Sequence, residues 1–262
     1  MLYSKTALAA VAVAVAVAGA SAPGFATTIA ALQDGKSIVL IDTDKKKVTG
    51  SVKLAGGGML VGIDVRPADG KLYGVAPDGA IVTVDAKTGK WEKKSQTPEK
   101  LPAGAAVTVD FNPAADRLRI LTSTGTSLRI NVDDGKTIVD GSLKYAEADA
   151  NKGKMPKVTA GAYSNSFAGT KETNLYDLDT GNKAYVRQAP PNDGILNTLG
   201  KMTMSGPVAF DIWSDGKGGN MGWMLSGGTL YTLDIATGAT KAVGKVTGLK
   251  GKISDIAILP AM

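Results

Sequence analysis

The chain has 262 residues, with 30 Lys and Arg against 24 Asp and Glu, a formal net charge of +6, and neither Cys nor His. Without Cys there is no disulfide framework and no lipid-anchoring thiol. Without His the commonest general base, the commonest metal ligand and the usual serine-hydrolase triad are excluded together. Chemistry is left to Asp, Glu, Lys, Tyr and Arg, and since Glu92, Glu99, Glu147 and Glu172 lie in polar stretches, Asp is the acid expected at interior positions.

Residues 1–26 read as an export signal: Lys5, an Ala/Val run from Ala7 to Ala20, then small residues up to Ala26. The run, at about 14 residues, is shorter than the ~20 a transmembrane helix needs. Cleavage is expected after Ala26. The remaining 27–262 contain no second run of that length, so the expectation is a soluble, monomeric, periplasmic or secreted single domain without a membrane span. The lysines cluster in turns such as Lys45-Lys46-Lys47, and no Arg stripe with interleaved aromatics marks a nucleic-acid surface.

From Thr28 onward one phrase recurs, an apolar-rich strand running into an acidic turn. It appears as Ile38 to Asp42, Ile81 to Asp85, Leu128 to Asp133, Leu175 to Asp179 and Leu230 to Asp234, at intervals of about 43 to 55 residues, close to the ~45-residue period of propeller blades. A second echo runs in step with it. Apolar residues flank an Asp in Ile63-Asp64-Val65, Val109-Asp110-Phe111 and Phe210-Asp211-Ile212, and Ser254-Asp255-Ile256 repeats the pattern. Aligning Asn112 with Asn165 places Tyr163 at the missing position. Between the two echoes lies another strand, as in Leu72 to Val75, and after the acidic turn Thr-Gly or Asp-Gly leads into a last strand. Each unit thus predicts four short antiparallel strands, the content of one blade.

The ends complete each other. Residues 28–54 lack the Asp-centred strand, and 252–260 are such a strand with nothing after it. The expected fold is all-β: a five-bladed β-propeller closed by pairing the C-terminal strand with the N-terminal strands, which removes an aggregation-prone edge. Two stacked sandwiches are the less regular alternative. The remaining blades are expected at 58–95, 105–143, 157–200 and 206–247, with polar surface loops at 96–104 and 145–156.

Val109-Asp110-Phe111-Asn112-Pro113 through Asp116-Arg117-Leu118-Arg119, together with Leu128-Arg129-Ile130-Asn131, Pro190-Pro191-Asn192-Asp193-Gly194 and Asp255-Ile256-Ala257, resembles the bacterial family catalogued as a domain of unknown function, number 4394. The resemblance spans essentially the whole mature chain. It implies an exported, propeller-like protein and carries over no catalytic residue.

Three places carry candidate chemistry. Asp64, Asp110, Asp211 and Asp255, with Tyr163 as fifth member, would approach the central axis if their strands are innermost. Such carboxylates raise one another's pKa unless a cation or backbone donors compensate. The first case makes them ligands for a hard cation such as Ca²⁺, and the second makes them latches between blades. Arg117, Arg119 and Arg129 are expected on one face of blade 3, paired with Asp116, Asp133 or Asp110, or else open to an oxyanion or acidic glycan. The 188–194 loop presents Asn192 and Asp193 on a stiff turn, as a partner contact or a plain hairpin. The 215–220 tip has some oxygen ligands but lacks the terminal Glu of a calcium loop, and Trp213 and Trp223 beside it would stack on sugars or pack between blades.

The function these features point to is a non-enzymatic binding or interaction module for an unknown small ligand, glycan or protein. The alternative is a glycoside hydrolase using axial carboxylates such as Asp110 and Asp211.

Overall fold

The computed structural model describes residues 27–56, 58–204 and 206–260; the expected export signal lies outside them. Blade 1 begins with β1 (Thr28–Gln33), β2 (Ser37–Asp42) and β3 (Lys47–Lys53). Blade 2 is β4 (Gly62–Val65), β5 (Leu72–Val75), β6 (Ala80–Val84) and β7 (Trp91–Gln96). Blade 3 is β8 (Val107–Asn112), β9 (Arg117–Thr122), β10 (Ser127–Ile130) and β11 (Thr137–Val139). A short strand, β12 (Lys144–Tyr145), precedes blade 4, which is β13 (Val158–Tyr163), β14 (Leu175–Asp179), β15 (Ala184–Gln188) and β16 (Ile195–Lys201). Blade 5 is β17 (Val208–Ser214), β18 (Asn220–Ser226), β19 (Thr229–Leu233) and β20 (Thr240–Lys245), and the chain returns to blade 1 as β21 (Ile253–Ile258).

The sheets follow the expected order, with β21 pairing antiparallel with β1 through Ile29↔Ile258 and Ala31↔Ile256. The innermost strands β21, β4, β8, β13 and β17 touch in a closed ring. A five-bladed propeller sealed by its two ends is therefore the observed fold.

Strand alternation explains the core. In β5 and β6, Leu72, Val82 and Val84 face blade 1, whereas Tyr73, Val75 and Ile81 face blade 3. Every blade does the same, so the hydrophobic interior is divided into one cluster per seam rather than one central core.

The acidic turns work locally. Asp85 Oδ1 accepts hydrogen bonds from the N–H groups of Lys87 (2.8 Å) and Thr88 (3.0 Å), and Gly89 closes the turn at φ 72°. A Cβ at Gly89 would also collide with the carbonyl of Lys53 in the preceding blade, so the glycine lets successive blades nest. In blade 3 the turn position is Asn131, whose Oδ1 accepts from Asp133 N at 3.1 Å. The sequence echo, which ends on Asp133 in this blade, therefore overshoots the turn position by two residues.

A second correction concerns 145–156, expected as a surface loop. Its first residue, Tyr145, is buried in β12, which lies parallel to β16 as a fifth strand of blade 4 (Lys144↔Ile195, Tyr145↔Leu196). The chain leaving blade 3 thus straps the outside of blade 4.

Candidate functional site

The Asp-centred strands are innermost, and their carboxylates tie the ring. Asp255 Oδ2 accepts from Ile63 N of blade 2 (2.9 Å), Asp64 Oδ2 from Phe111 N of blade 3 (2.7 Å), Asp110 Oδ1 from Tyr163 N of blade 4 (2.9 Å), and Asp211 Oδ2 from Ile258 N of blade 1 (2.7 Å). The other oxygen of Asp64, Asp211 and Asp255 accepts from the N–H of the next residue in its own strand. Tyr163 does not take the fifth position: Asp110 holds its N–H just as Asp64 holds that of Phe111, so Ala162 stands where an Asp would, and the Tyr163 side chain turns back to blade 3, its hydroxyl accepting from Arg119 Nε. The seam from blade 4 to blade 5, where no Asp exists, is tied by a reciprocal amide pair: Asn220 Oδ1 accepts from Asn165 N (2.7 Å), and Asn220 Nδ2 donates to Asn165 Oδ1 (2.8 Å).

Burial pushes the carboxyls of Asp64, Asp110 and Asp255 well above the ordinary Asp range, and their mutual repulsion adds to it. Burial raises Asp211 to about 6, with backbone N–H donors opposing it. One oxygen from each of Asp64, Asp110 and Asp211 lies within 4.8 Å of the others. All four Asp residues are buried.

The arginines do not form an open anion site. Arg119 is fully buried and, with Arg129 directly opposite it on β10, shares Asp140: Nη1 of Arg119 at 2.5 Å and Nε of Arg129 at 2.6 Å. Arg117 instead donates to the carbonyls of Ala115 and Asp116. The expected partners Asp116 and Asp133 are taken by Arg66, whose Nη2 reaches them at 2.6 and 3.0 Å across the seam between blades 2 and 3. Arg66 and Asp140 carried no repeat signal, because each serves one seam only. Asn192 Oδ1 accepts from Arg119 Nη2 at 2.9 Å, so this loop braces blade 3 against blade 4, and Asp193 stays exposed. Trp223 is buried in the seam between blades 5 and 1. The 215–220 tip closes on itself, with Asp215 Oδ1 accepting from Lys217 N and Gly219 N.

An open space lies elsewhere, at the mouth of the axis where the inner strands begin. It is a funnel of about 820 Å³, walled by all five blades, including Met59, Val107, Thr180, Pro207 and Ser254. The axial Asp ring lies one to three residues further along the inner strands, roughly 3–10 Å deeper at ~3.3 Å per residue. The exposed amines of Lys157 and Lys252 flank the blade 5 entrance, and Asp34 is the acidic residue of the lining, one of its oxygens accepting from Lys252 N. No residue of the sequence-level candidate set lines this funnel. Its walls are mostly Gly, Ala, Val and hydroxyl residues from loops and the first residues of the inner strands, which carry no motif.

Fold and axis together define a class: a closed five-bladed β-propeller whose inner strands are tied by buried carboxylates beneath an open axial funnel. The chain belongs to the family described as Domain of unknown function (DUF4394), which matches residues 27–257. No curated protein sequence matches it. Among solved structures it is similar to a protein of unknown function from Bacteroides thetaiotaomicron VPI-5482, at 18% identity and TM-score 0.54, over 90% of this chain and 62% of that one. A protein of unknown function from Bacteroides caccae aligns at 12% identity and TM-score 0.49, over 90% of this chain and 100% of the other. These likenesses concern the fold.

Proposed function

We propose that this protein is a binding module that works outside the cytoplasm and holds a small anionic or amphipathic ligand in the axial funnel, with the Asp ring as its structural floor. The observation that carries the reading is the 820 Å³ funnel to which every blade contributes, a size suited to small-molecule ligands. Two lysines against one aspartate at its mouth favour an anion. The apolar wall residues favour a ligand with a hydrocarbon or sugar-ring body.

The test is a thermal-shift panel of inorganic phosphate, oligogalacturonate and decanoate on residues 27–262. At least one anion should raise Tm by several degrees, as binding to the folded state alone requires, and the double variant Lys157→Glu/Lys252→Glu should lose that shift. A shift that survives charge reversal, or none across the panel at millimolar concentration, overturns the reading.

A second reading is favoured by the convergence of Asp64, Asp110 and Asp211 within 4.8 Å: a hard cation such as Ca²⁺ at the axis, stabilising the ring. Ca²⁺ needs ionised carboxylates. Millimolar Ca²⁺ should then raise Tm over chelator at pH 8, less at pH 5, and not in Asp64→Asn. Equal melting in Ca²⁺ and chelator at pH 8 leaves the ring as latches alone.

A further inference from the structure

The seam between blades 3 and 4 is built unlike the other four. Elsewhere both neighbours supply apolar side chains, as Tyr176, Leu178 and Tyr185 meet Phe210, Ile212 and Met224 between blades 4 and 5. At this seam the strands of blade 3 supply only Leu121 to the apolar cluster of described residues, and polar side chains take the remaining positions. Arg119, with Asp110, Thr108 and Ser127, is among them, all buried.

Five buried side-chain polar atoms have no hydrogen-bond partner among the described residues. Four of them belong here: Thr108 Oγ1, both carboxyl oxygens of Asp177, and Gln188 Oε1. Strand register places them together. The bond from Tyr163 N to Asp110 Oδ1 sets β13 level with β8, so Thr108, two residues before Asp110, lies level with Gly161. Gly161 in turn pairs with Asp177. A Cβ on Gly161 would collide with Asp177 Oδ1, so the missing side chain is what admits the carboxyl. Asp177 alternates with Tyr176 and Leu178, which face blade 5, and therefore faces blade 3. Gln188 pairs with Leu175 on that same face.

Arg119 closes the space from the other side. Its guanidinium donates four hydrogen bonds, to Tyr163 Oη, Ser127 Oγ, Asp140 Oδ2 and Asn192 Oδ1, of the five an arginine can donate. Arg119 and Arg129 share the single carboxylate of Asp140, leaving one positive charge that eases the ionisation of Asp177.

We propose that the seam between blades 3 and 4 is an internal hydration site, a small cluster of water that donates to the bare oxygens of Asp177, Gln188 and Thr108 and links Asp177 to Arg119. Water fits because it can donate to several oxygens and accept from the remaining N–H, and a polar recess with two to four partners is what buried water requires. A metal cation would face the guanidinium of Arg119. Burial raises Asp177 to about 8, with Arg119 pulling it down and Asp179 pushing it up. The other titratable groups around the seam are Asp110 and Tyr163 of the inner strands, Asp140 and Arg129 of blade 3, and Tyr145 of the strap. Because the folded value lies above that of the unfolded chain, the contribution of Asp177 to stability is fully present below about pH 4 and lost as pH rises through about 8.

The test is a high-resolution crystal structure of residues 27–262 with melting curves from pH 6 to 9. At least two ordered waters should lie within hydrogen-bond distance of Asp177, and between pH 6 and 9 Asp177→Asn should lose roughly 5 °C less in Tm than wild type, the remaining fall belonging to the axial Asp ring. Should Asp177→Asn fail to fold, Thr108→Val should lose one water and keep the wild-type pH profile. A seam without density at these oxygens, a peak coordinated at about 2.3–2.6 Å as for a cation, or superimposable pH profiles of wild type and Asp177→Asn overturns the proposal.

Discussion

Asp64 holds two backbone N–H groups at once, Val65 in its own strand and Phe111 in the next blade. Removing it strands both donors in a buried layer, a loss of about 2–4 kcal/mol. Asp64→Ala should therefore lower Tm by roughly 5–15 °C at pH 5. The pH dependence runs opposite to that of a salt-bridged carboxylate. The ring carboxyls ionise at higher pH in the folded state than in the unfolded chain, Asp211 at about 6, so their contribution is complete below about pH 4 and declines as pH rises through the folded values. Asp64→Ala removes one of the repelling charges, and its Tm should fall less steeply between pH 5 and 8 than that of wild type. Parallel melting profiles for the two proteins would contradict this account. The sequence showed that these Asp residues repeat in step. It could not show that their oxygens point at neighbouring strands, because that depends on how the blades nest.

At the level of elements, legibility followed repetition. The inner strand with its Asp and the Asx turn closed by Gly recur around the ring, so one physical requirement left several copies of itself in the chain. Features used once left no such trace. Asn165 and Asn220 tie blade 4 to blade 5 in place of an Asp, and Arg66 spans one seam to reach Asp116 and Asp133. The strap β12 is two residues long, with no alternation to read, and its identity comes from the β16 edge it covers. Blade 3 is the instructive case. Its outer strand β11 is short, with Ile138 and Val139 exposed, and the segment after it leaves to close blade 4. Asp140, in that segment, pairs with both Arg119 and Arg129, for which the sequence offers only Asp116, Asp133 or Asp110 as partners.

Across the whole molecule, closure replaces a single core. Each blade buries its two faces against two neighbours, so the ring is stable only when every seam is made, and β21 makes the last one. A chain ending at Gly251 loses β21, and with it the Asp255 latch to Ile63 and the Ile258 N–H that Asp211 holds. It should lose its cooperative melting transition or associate through the bared edge of β1, as size-exclusion chromatography and calorimetry would register. A monomer melting near the wild-type Tm would count against ring closure as the source of stability.

The chain by itself determined the architecture, because alternation, Gly-closed turns and a period near 45 residues are local requirements repeated in every blade. It also determined that the two ends belong to one sheet, since each fragment lacks what the other has. Tertiary structure decided the rest. Whether the axial carboxylates are latches, which acid meets which arginine, why Gly161 is a glycine and where the funnel opens are all relations between blades. Such relations depend on the rotation of one sheet against the next, and no stretch of sequence within one blade encodes it.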